Sequence, residues 1–195
     1  GLALVYGIMR ILHVAHAAVY TIGAYVGLLF FNLTGSLLLA VLGSMAVCAL
    51  AGVAIERFVY FPLLKYPPFV PLIASIAILL SVEELCRLIA GPQILTFPAE
   101  LPFPEFHVAG VTVTSTITAV YGITAAVLGL LWVITTKTEL GLAMRAASQD
   151  MAVADAMGIN SHLIVSITFA IGSSVAAVPG ILVGIYFNQV YPTMG

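Results

Sequence analysis

Long stretches without a charged side chain constrain this sequence more than any other feature. Histidines aside, no charged residue occurs at positions 11–55, 106–136 or 156–195. About 20 apolar residues are enough for a helix to cross the hydrocarbon core of a bilayer, so each stretch has room for at least one span. Only 7% of the residues are charged, against about 25% in soluble domains. The sequence therefore predicts an all-α polytopic membrane helix bundle.

The apolar runs predict about six spans or part-spans in a single transmembrane domain covering residues 1–195. Gly1 enters in the middle of an apolar stretch, so we expect a piece of a longer membrane protein. After a part-span at residues 1–9, helices are expected at Leu12 to Phe31, Leu37 to Ile55, Phe69 to Ile89, Ser115 to Thr136 and Leu163 to Tyr186.

The segments between these helices differ in character. Glu56 to Pro68 is predicted to be a loop that holds at most one short helix, because it carries charges and three prolines. A longer loop at residues 90–115 contains a possible small hairpin around Ala109-Gly110. Asn32 to Ser36 reads as a polar turn.

The positive charges predict which side of the membrane each loop occupies. Counting crossings places all but one of the Lys and Arg residues on one side: Arg10, Arg57, Lys65, Lys137 and Arg145. Only Arg87 falls near the other side. The positive-inside rule makes the first side cytoplasmic. The loop at residues 137–161 is then cytoplasmic, and the loop at residues 90–115 faces outward.

The cytoplasmic loop has the pattern of a broken amphipathic helix. One apolar stripe recurs at three- or four-residue intervals: Leu140, Met144, Ala147, Met151 and Ala154. Ser148 to Asp150 is expected to interrupt the helix, with Asp150 or Ser148 capping the second part and Gly158 ending it. Such a helix could fit a groove in another protein or lie on lipid headgroups, and its periodicity does not separate the two.

Small residues recur every fourth position in two of the predicted spans. The stronger stripe consists of Gly172, Ala176, Gly180 and Gly184, and the weaker one of Ala15, Val19, Gly23 and Gly27. Small side chains on one helical face allow a neighbouring backbone to approach closely. We interpret both stripes as helix-packing surfaces in preference to substrate contacts.

Two groups of residues, one in the first 26 positions and one from Arg145 onward, resemble motifs of a known protein family. Arg145-Ala146, Ala152 to Ala154, Met157-Gly158-Ile159-Asn160, Phe169, Ala176-Ala177 and Gly180 resemble the cytoplasmic coupling loop of ABC importer permeases. Leu4 to Gly7, Val14 to His16, Tyr20 and Gly23 to Val26 resemble the early motif of the branched-chain amino-acid permeases. The sequence departs from that motif at His13, Val14, Ala17 and Ala18, and has Ala146-Ala147-Ser148 for the general Glu-Ala-Ala.

The resemblance implies a transport subunit in the inner membrane of a bacterial-type cell. Its expected partners are cytoplasmic ATPase subunits, a second permease subunit of the same or a related kind, an extracytoplasmic substrate-binding protein and the surrounding lipid. It also implies a further span before Gly1 and at least two after Gly195. The residues expected to contact the ATPase are Arg145, Asp150, Ala152, Ala154, Gly158 and Ile159.

Ionisable side chains within spans are costly, so each needs a partner or a role. His13 and His16 lie three residues apart and are either a polar lining of the translocation path or neutral imidazoles bonded to neighbouring helices. Tyr20 and Gly23, from the same family motif, are further candidates for the path. Glu83 and Arg87 have the i, i+4 spacing of an ion pair, which would leave Glu84 free to meet a substrate ammonium group.

Several function classes find no support in the sequence. It contains no Gly-x-x-x-x-Gly-Lys loop, no placed nucleophile set, no further ligands for a metal beside the histidines and no basic patch for nucleic acid. We therefore expect a chain that is not an enzyme and binds no cofactor, with ATP used by a partner. Import of branched-chain or similar small amino acids is the expected function; the alternatives are urea or short amides, or a secondary transporter or channel without an ATPase.

Overall fold

The computed structural model describes residues 1–9, 13–67, 69–98, 106–108 and 111–195, and within them the chain is a bundle of α-helices. Five helical units are long and apolar enough to cross a membrane, and a short helix precedes them. This confirms the predicted all-α polytopic bundle. The elements are α1 (Leu2–Met9), α2 (His16–Thr34), α3 (Leu37–Ile55), α4 (Phe61–Leu63), α5 (Phe69–Ala90), β1 (Phe106–Val108), β2 (Val111–Val113), α6 (Ser115–Lys137), α7 (Glu139–Gln149), α8 (Met151–Ala156) and α9 (Ser161–Phe187).

Helices α2, α3 and α9 pack together as the centre of the bundle. Their contacts run through small residues, as the two stripes predict. A Cβ atom added to Gly23 would lie 2.5 Å from the Cα atom of Ala177, and one added to Gly180 would meet the carbonyl oxygen of Tyr20. All four residues of the stronger stripe are buried on α9. The close approach of α2 and α9 therefore depends on the absence of side chains at these positions.

The predicted loop after Ile55 is wrong over its first eight residues. The helix continues from α3 through a π-helical turn at Glu56–Tyr60 into α4, which ends at Leu63. Glu56 is 1% exposed, and its Oε2 atom accepts a hydrogen bond from Ser166 Oγ of α9 at 2.7 Å. Because this carboxylate has a partner inside the bundle, its charge does not force the chain out of the membrane.

Helices α5 and α6 lie at the edge of the described bundle. Pro71 and Ser75 are the buried residues of α5, and Ala119 is that of α6. Most of their apolar side chains, such as Leu88 and Tyr121, are exposed. These surfaces fit the lipid tails or further helices that a membrane protein would place against them.

The end of the bundle opposite α7 and α8, here called the far end, carries the loop that the crossing count places on the outward side of the membrane. Strands β1 and β2 pair antiparallel with Phe106 opposite Val113, which confirms the predicted hairpin. Leu95 and Val190 form an isolated antiparallel bridge, and the rings of Phe31 and Phe97 lie 5.5 Å apart. The ends of α2, α5 and α9 therefore meet there. Arg10, which the charge argument used, lies outside the described residues.

Candidate functional site

The coupling segment, residues 138–160, begins with a tight turn after α6. Thr138 caps α7, because its hydroxyl oxygen accepts a hydrogen bond from the Gly141 amide at 3.2 Å. Gly141 comes so close to the carbonyl groups of Ile134 and Thr135 that a Cβ atom would collide with them. Arg145 extends back and donates a hydrogen bond to the Thr135 carbonyl. These contacts fix α7 to the end of α6.

The second part of the segment is held by caps at both ends. Asp150 Oδ1 accepts a hydrogen bond from the Val153 amide at 3.1 Å and begins α8. Gly158 ends it with a φ of 86°, in the left-handed region that favours glycine. Asn160 Oδ1 then accepts from the Leu163 amide at 3.0 Å and begins α9. The predicted interruption near Ser148–Asp150, the Asp150 cap and the Gly158 terminus are confirmed.

Two hydrogen bonds attach α8 to the first residue of α9. The Ser161 amide donates to Asp155 Oδ1 at 2.9 Å, and the Ser161 hydroxyl donates to the Met151 carbonyl at 3.2 Å. The bonds from Ser161 lower the pKa of the Asp155 carboxyl below its usual value. The three residues therefore form a fixed link between the short helix and the long span behind it.

The apolar stripe of the coupling segment faces the bundle. Met144, Ala147 and Ala154 are 5%, 2% and 3% exposed. Met144 and Ala147 belong to a core cluster with Val5, Tyr60, Ile164, Val165 and Phe169, against which Leu140, Met151 and Ile159 also pack. Because the stripe is covered by the chain's own helices, it is free neither for lipid headgroups nor for a groove in another protein.

The burial of Ala154 corrects its predicted role as a contact for the ATPase. One turn of α8 places Ala154 against the bundle and turns its neighbours outward. The exposed surface, here named the coupling face, consists of Arg145, Asp150, Ala152, Val153, Ala156, Met157 and Gly158. Ile159 is half-buried in the core cluster.

Val153 and Met157 are the two large apolar side chains of this face that the sequence prediction missed. They are 59% and 79% exposed. Val153 and Met157 are four positions apart, so they share one face of the helix, and Val153 directly precedes the buried Ala154. This spacing could have identified them from the sequence.

The two histidines of the predicted path come together at the coupling end of the bundle. His13 precedes α2, which begins at His16, so the predicted start of this helix at Leu12 is wrong. Their rings nevertheless lie 5.6 Å apart, and His13 also stacks edge-on against Tyr60 and Phe169. A hydrogen bond of 2.7 Å joins His13 Nδ1 and the Tyr60 hydroxyl. Among the described residues, His13 Nε2 and His16 Nδ1 are buried without a hydrogen-bond partner.

The other path candidates are spread along α2 and α5. Gly23 is buried against Ala177 of α9, and Tyr20 is half-buried one turn before it. Glu84 lies near the far end of α5, where its Oε1 atom accepts a bond of 2.6 Å from Arg87 Nη1. The guanidinium of Arg87 bonds Glu84, three positions before it, and not Glu83, four positions before it. The predicted pairing of Arg87 with Glu83 is therefore wrong, and so is the prediction that Glu84 is unpaired.

The structure adds Glu56 and Ser166 to the polar residues of the bundle. Their hydrogen bond joins the π-helical turn to α9 across 110 positions of sequence. π-helical turns within α-helices occur frequently at functional sites. No periodic signal in the sequence identifies this pair.

Within the described residues, five helices are long and apolar enough to cross a membrane, and three of them, α2, α3 and α9, pack closely through small residues. Two short capped helices, α7 and α8, are fixed to one end of this bundle, and the chain is therefore a polytopic membrane protein. It belongs to the family of permease components of branched-chain amino acid transport systems, whose family model matches residues 1–195.

Curated relatives agree with this family. The chain is 29% identical to the high-affinity branched-chain amino acid transport permease BraD of Pseudomonas aeruginosa, covering 100% of this chain and 68% of that protein. It is 28% identical to LivH of Escherichia coli, with the same coverage. The galactofuranose transporter permease YtfT of Escherichia coli is 28% identical over 76% of this chain and 41% of its own length. No solved structure matches the chain.

Proposed function

We propose that the chain is the permease subunit of an ABC importer that moves branched-chain or similar small amino acids across a bacterial inner membrane. The substrate class is supported by the family and by BraD and LivH, whose names both give branched-chain amino acid transport. The energy source is then a separate ATPase subunit that binds ATP, while this chain binds no cofactor and catalyses no reaction.

The observation that carries the mechanism is the fixed link between the coupling segment and α9. An ATPase subunit that holds Val153 and Met157 would move α8 when it closes on ATP. Because Ser161 bonds both Asp155 and Met151, this movement passes directly to α9. Helix α9 packs on α2 and α3, so the central helices rock together as a rigid body and switch access from one side to the other.

The remaining surfaces fit the other proposed partners. The exposed apolar faces of α5 and α6 are available to lipid and to a second permease subunit. The far end, with the β1–β2 hairpin, is the surface for an extracytoplasmic substrate-binding protein. Of the six Lys and Arg residues, Arg57, Lys65, Lys137 and Arg145 lie at the coupling end and Arg87 at the far end, which favours a cytoplasmic coupling segment.

Uptake by cells that produce the full-length permease with its ATPase tests the proposal. Cells lacking their own branched-chain importers should accumulate labelled leucine, and a variant ATPase unable to hydrolyse ATP should abolish accumulation. Labelled urea and galactofuranose serve as comparison substrates. Uptake of urea but not of leucine would indicate a permease for urea or short amides. Leucine uptake that does not depend on the ATPase would contradict the ABC mechanism.

A further inference from the structure

Two non-helical segments enter the bundle at its far end. Residues 91–98 follow α5 and residues 188–195 follow α9, and they are joined where the Leu95 amide donates to the Val190 carbonyl at 2.9 Å and the Val190 amide to the Leu95 carbonyl at 2.8 Å. Phe97 and Val190 are 2% and 0% exposed. Phe97 and Val190 thus anchor the two segments in the bundle, whereas most of the residues around them, such as Gln93 and Gln189, are exposed.

The depth of these segments follows from their neighbours. Phe97 and Val190 pack in one cluster with Leu28 and Ile181. Leu28 stands six residues before the end of α2 at Thr34, and Ile181 stands six residues before the end of α9 at Phe187. Six helical residues correspond to about 9 Å along the helix axis. Irregular backbone at membrane depth is tolerated where protein covers it or where it lines a cavity.

A cavity of about 350 Å³ lies between these two segments and the last turns of α5. Arg87 provides its positive charge, Gln189 and Thr193 provide polar groups, and Ile94, Tyr191 and Pro192 provide apolar surface. The segment after α9 also reaches α2, because a Cβ atom added to Gly195 would meet the Ala17 carbonyl oxygen and lie 2.7 Å from Thr21 Oγ1. A segment that lines the cavity therefore adjoins the helix that carries most of the path candidates.

The charges beside the cavity form a neutral pair. Arg87 donates from Nη1 to Glu84 Oε1 at 2.6 Å, and the two side chains are 43% and 61% exposed. Within the described residues Arg87 has no further hydrogen bond, which leaves the other edge of its planar guanidinium able to bind a carboxylate. Glu84 has a second carboxylate oxygen able to accept from an ammonium group.

We propose that this cavity is a binding site for a zwitterionic α-amino acid before it enters the translocation path. The inference rests on the proposed function. The substrate carboxylate binds Arg87, its ammonium group binds Glu84, and its aliphatic side chain contacts Ile94 and Tyr191. A ligand with both charges exchanges partners with the existing ion pair without leaving a net charge behind, whereas a ligand with one charge leaves either Arg87 or Glu84 uncompensated.

Binding of labelled leucine to the full-length permease–ATPase complex in nanodiscs, without the substrate-binding protein, tests the site. Unlabelled leucine should compete, whereas leucinamide, which lacks the carboxylate, and 4-methylpentanoate, which lacks the ammonium group, should compete at least 10-fold more weakly. Arg87→Gln and Glu84→Gln should each weaken leucine binding at least 10-fold. Arg87→Lys should lose most of the affinity as well, because lysine lacks the bidentate fork.

Glu83→Gln is the matched control, since it changes a neighbouring carboxylate that is not paired with Arg87. It should bind leucine as the wild type does, and its basal ATPase rate should equal that of the wild type. Equal competition by leucinamide, or unchanged binding by Arg87→Gln, would overturn the proposed site; the competition arm decides the matter even if a variant fails to fold. If the wild type shows no leucine uptake in cells, the proposed function itself is wrong. If wild-type uptake is normal and the Arg87 variants have the same KM for leucine uptake as the wild type, only the proposed site is wrong.

Discussion

The Asp155 carboxylate accepts a hydrogen bond from the Ser161 amide at 2.9 Å, which ties the last turn of the short coupling helix α8 to the first residue of the span α9. Asp155 itself is exposed, so the bond stands at the surface that a cytoplasmic partner would touch. Under the proposed mechanism, this bond is the route by which a movement of α8 would reach α9.

Asp155 gives this link a dependence on pH. Because the Ser161 bonds depress its pKa, the link stabilises the fold at pH values above the usual aspartate pKa of 3.8. The stabilisation is lost as the pH falls below 3.8 and through the folded pKa. Asp155→Asn should lower the Tm of the detergent-solubilised protein at pH 7, and this difference should disappear below the folded pKa. A difference that is constant from pH 7 into that acid range would contradict the assignment.

Gly23 tests the close packing of α2 on α9. Gly23→Ala places a methyl group 2.5 Å from the Cα atom of Ala177, which is backbone and cannot rotate away. We expect the variant to lose about 1–3 kcal/mol of unfolding free energy, measured by denaturation in mixed micelles. Gly122→Ala on α6 is the control, because nothing lies within 4 Å of its added methyl group. The control should be neutral or slightly stabilising, and equal effects of the two substitutions would refute close packing at Gly23.

Tyr60 supports the buried His13 ring. Tyr60→Phe removes the hydroxyl that bonds His13 Nδ1 and leaves an imidazole that is 1% exposed without this partner. The expected loss is about 1–3 kcal/mol of unfolding free energy in the same micelle assay. Tyr121→Phe, on an exposed side chain of α6, should have no effect. If Tyr60→Phe were as stable as the wild type, the hydrogen bond would not contribute to the fold.

Features set by neighbouring residues could be predicted from the sequence. The Asp150 cap, the Gly158 terminus and the antiparallel hairpin each depend on side chains or backbone conformations within a few positions of each other. The spans were also predictable, because a bilayer requires about 20 apolar residues whatever the tertiary packing.

Features set by distant partners could not be predicted. The local sequence around Glu56 predicts the end of a span, but the partner Ser166 lies 110 positions away and keeps Glu56 buried. Periodicity identified the apolar stripe through Ala154 and could not say whether the bundle or another protein covers it. The choice between Glu83 and Glu84 depended on the rotamer of Arg87, which spacing alone leaves open.

The docking of an ATPase on the coupling face is the central claim, and co-purification of the ATPase with full-length variants tests it most directly. Val153→Glu places a charge on a side chain that is 59% exposed, so the permease should fold normally and lose most of the bound ATPase. Leu33→Glu, at the far end and 73% exposed, should retain it. Ala154→Glu should instead unfold the chain, because it buries a charge at a position that is 3% exposed. Retention of the ATPase at the wild-type level by a folded Val153→Glu permease would contradict the account.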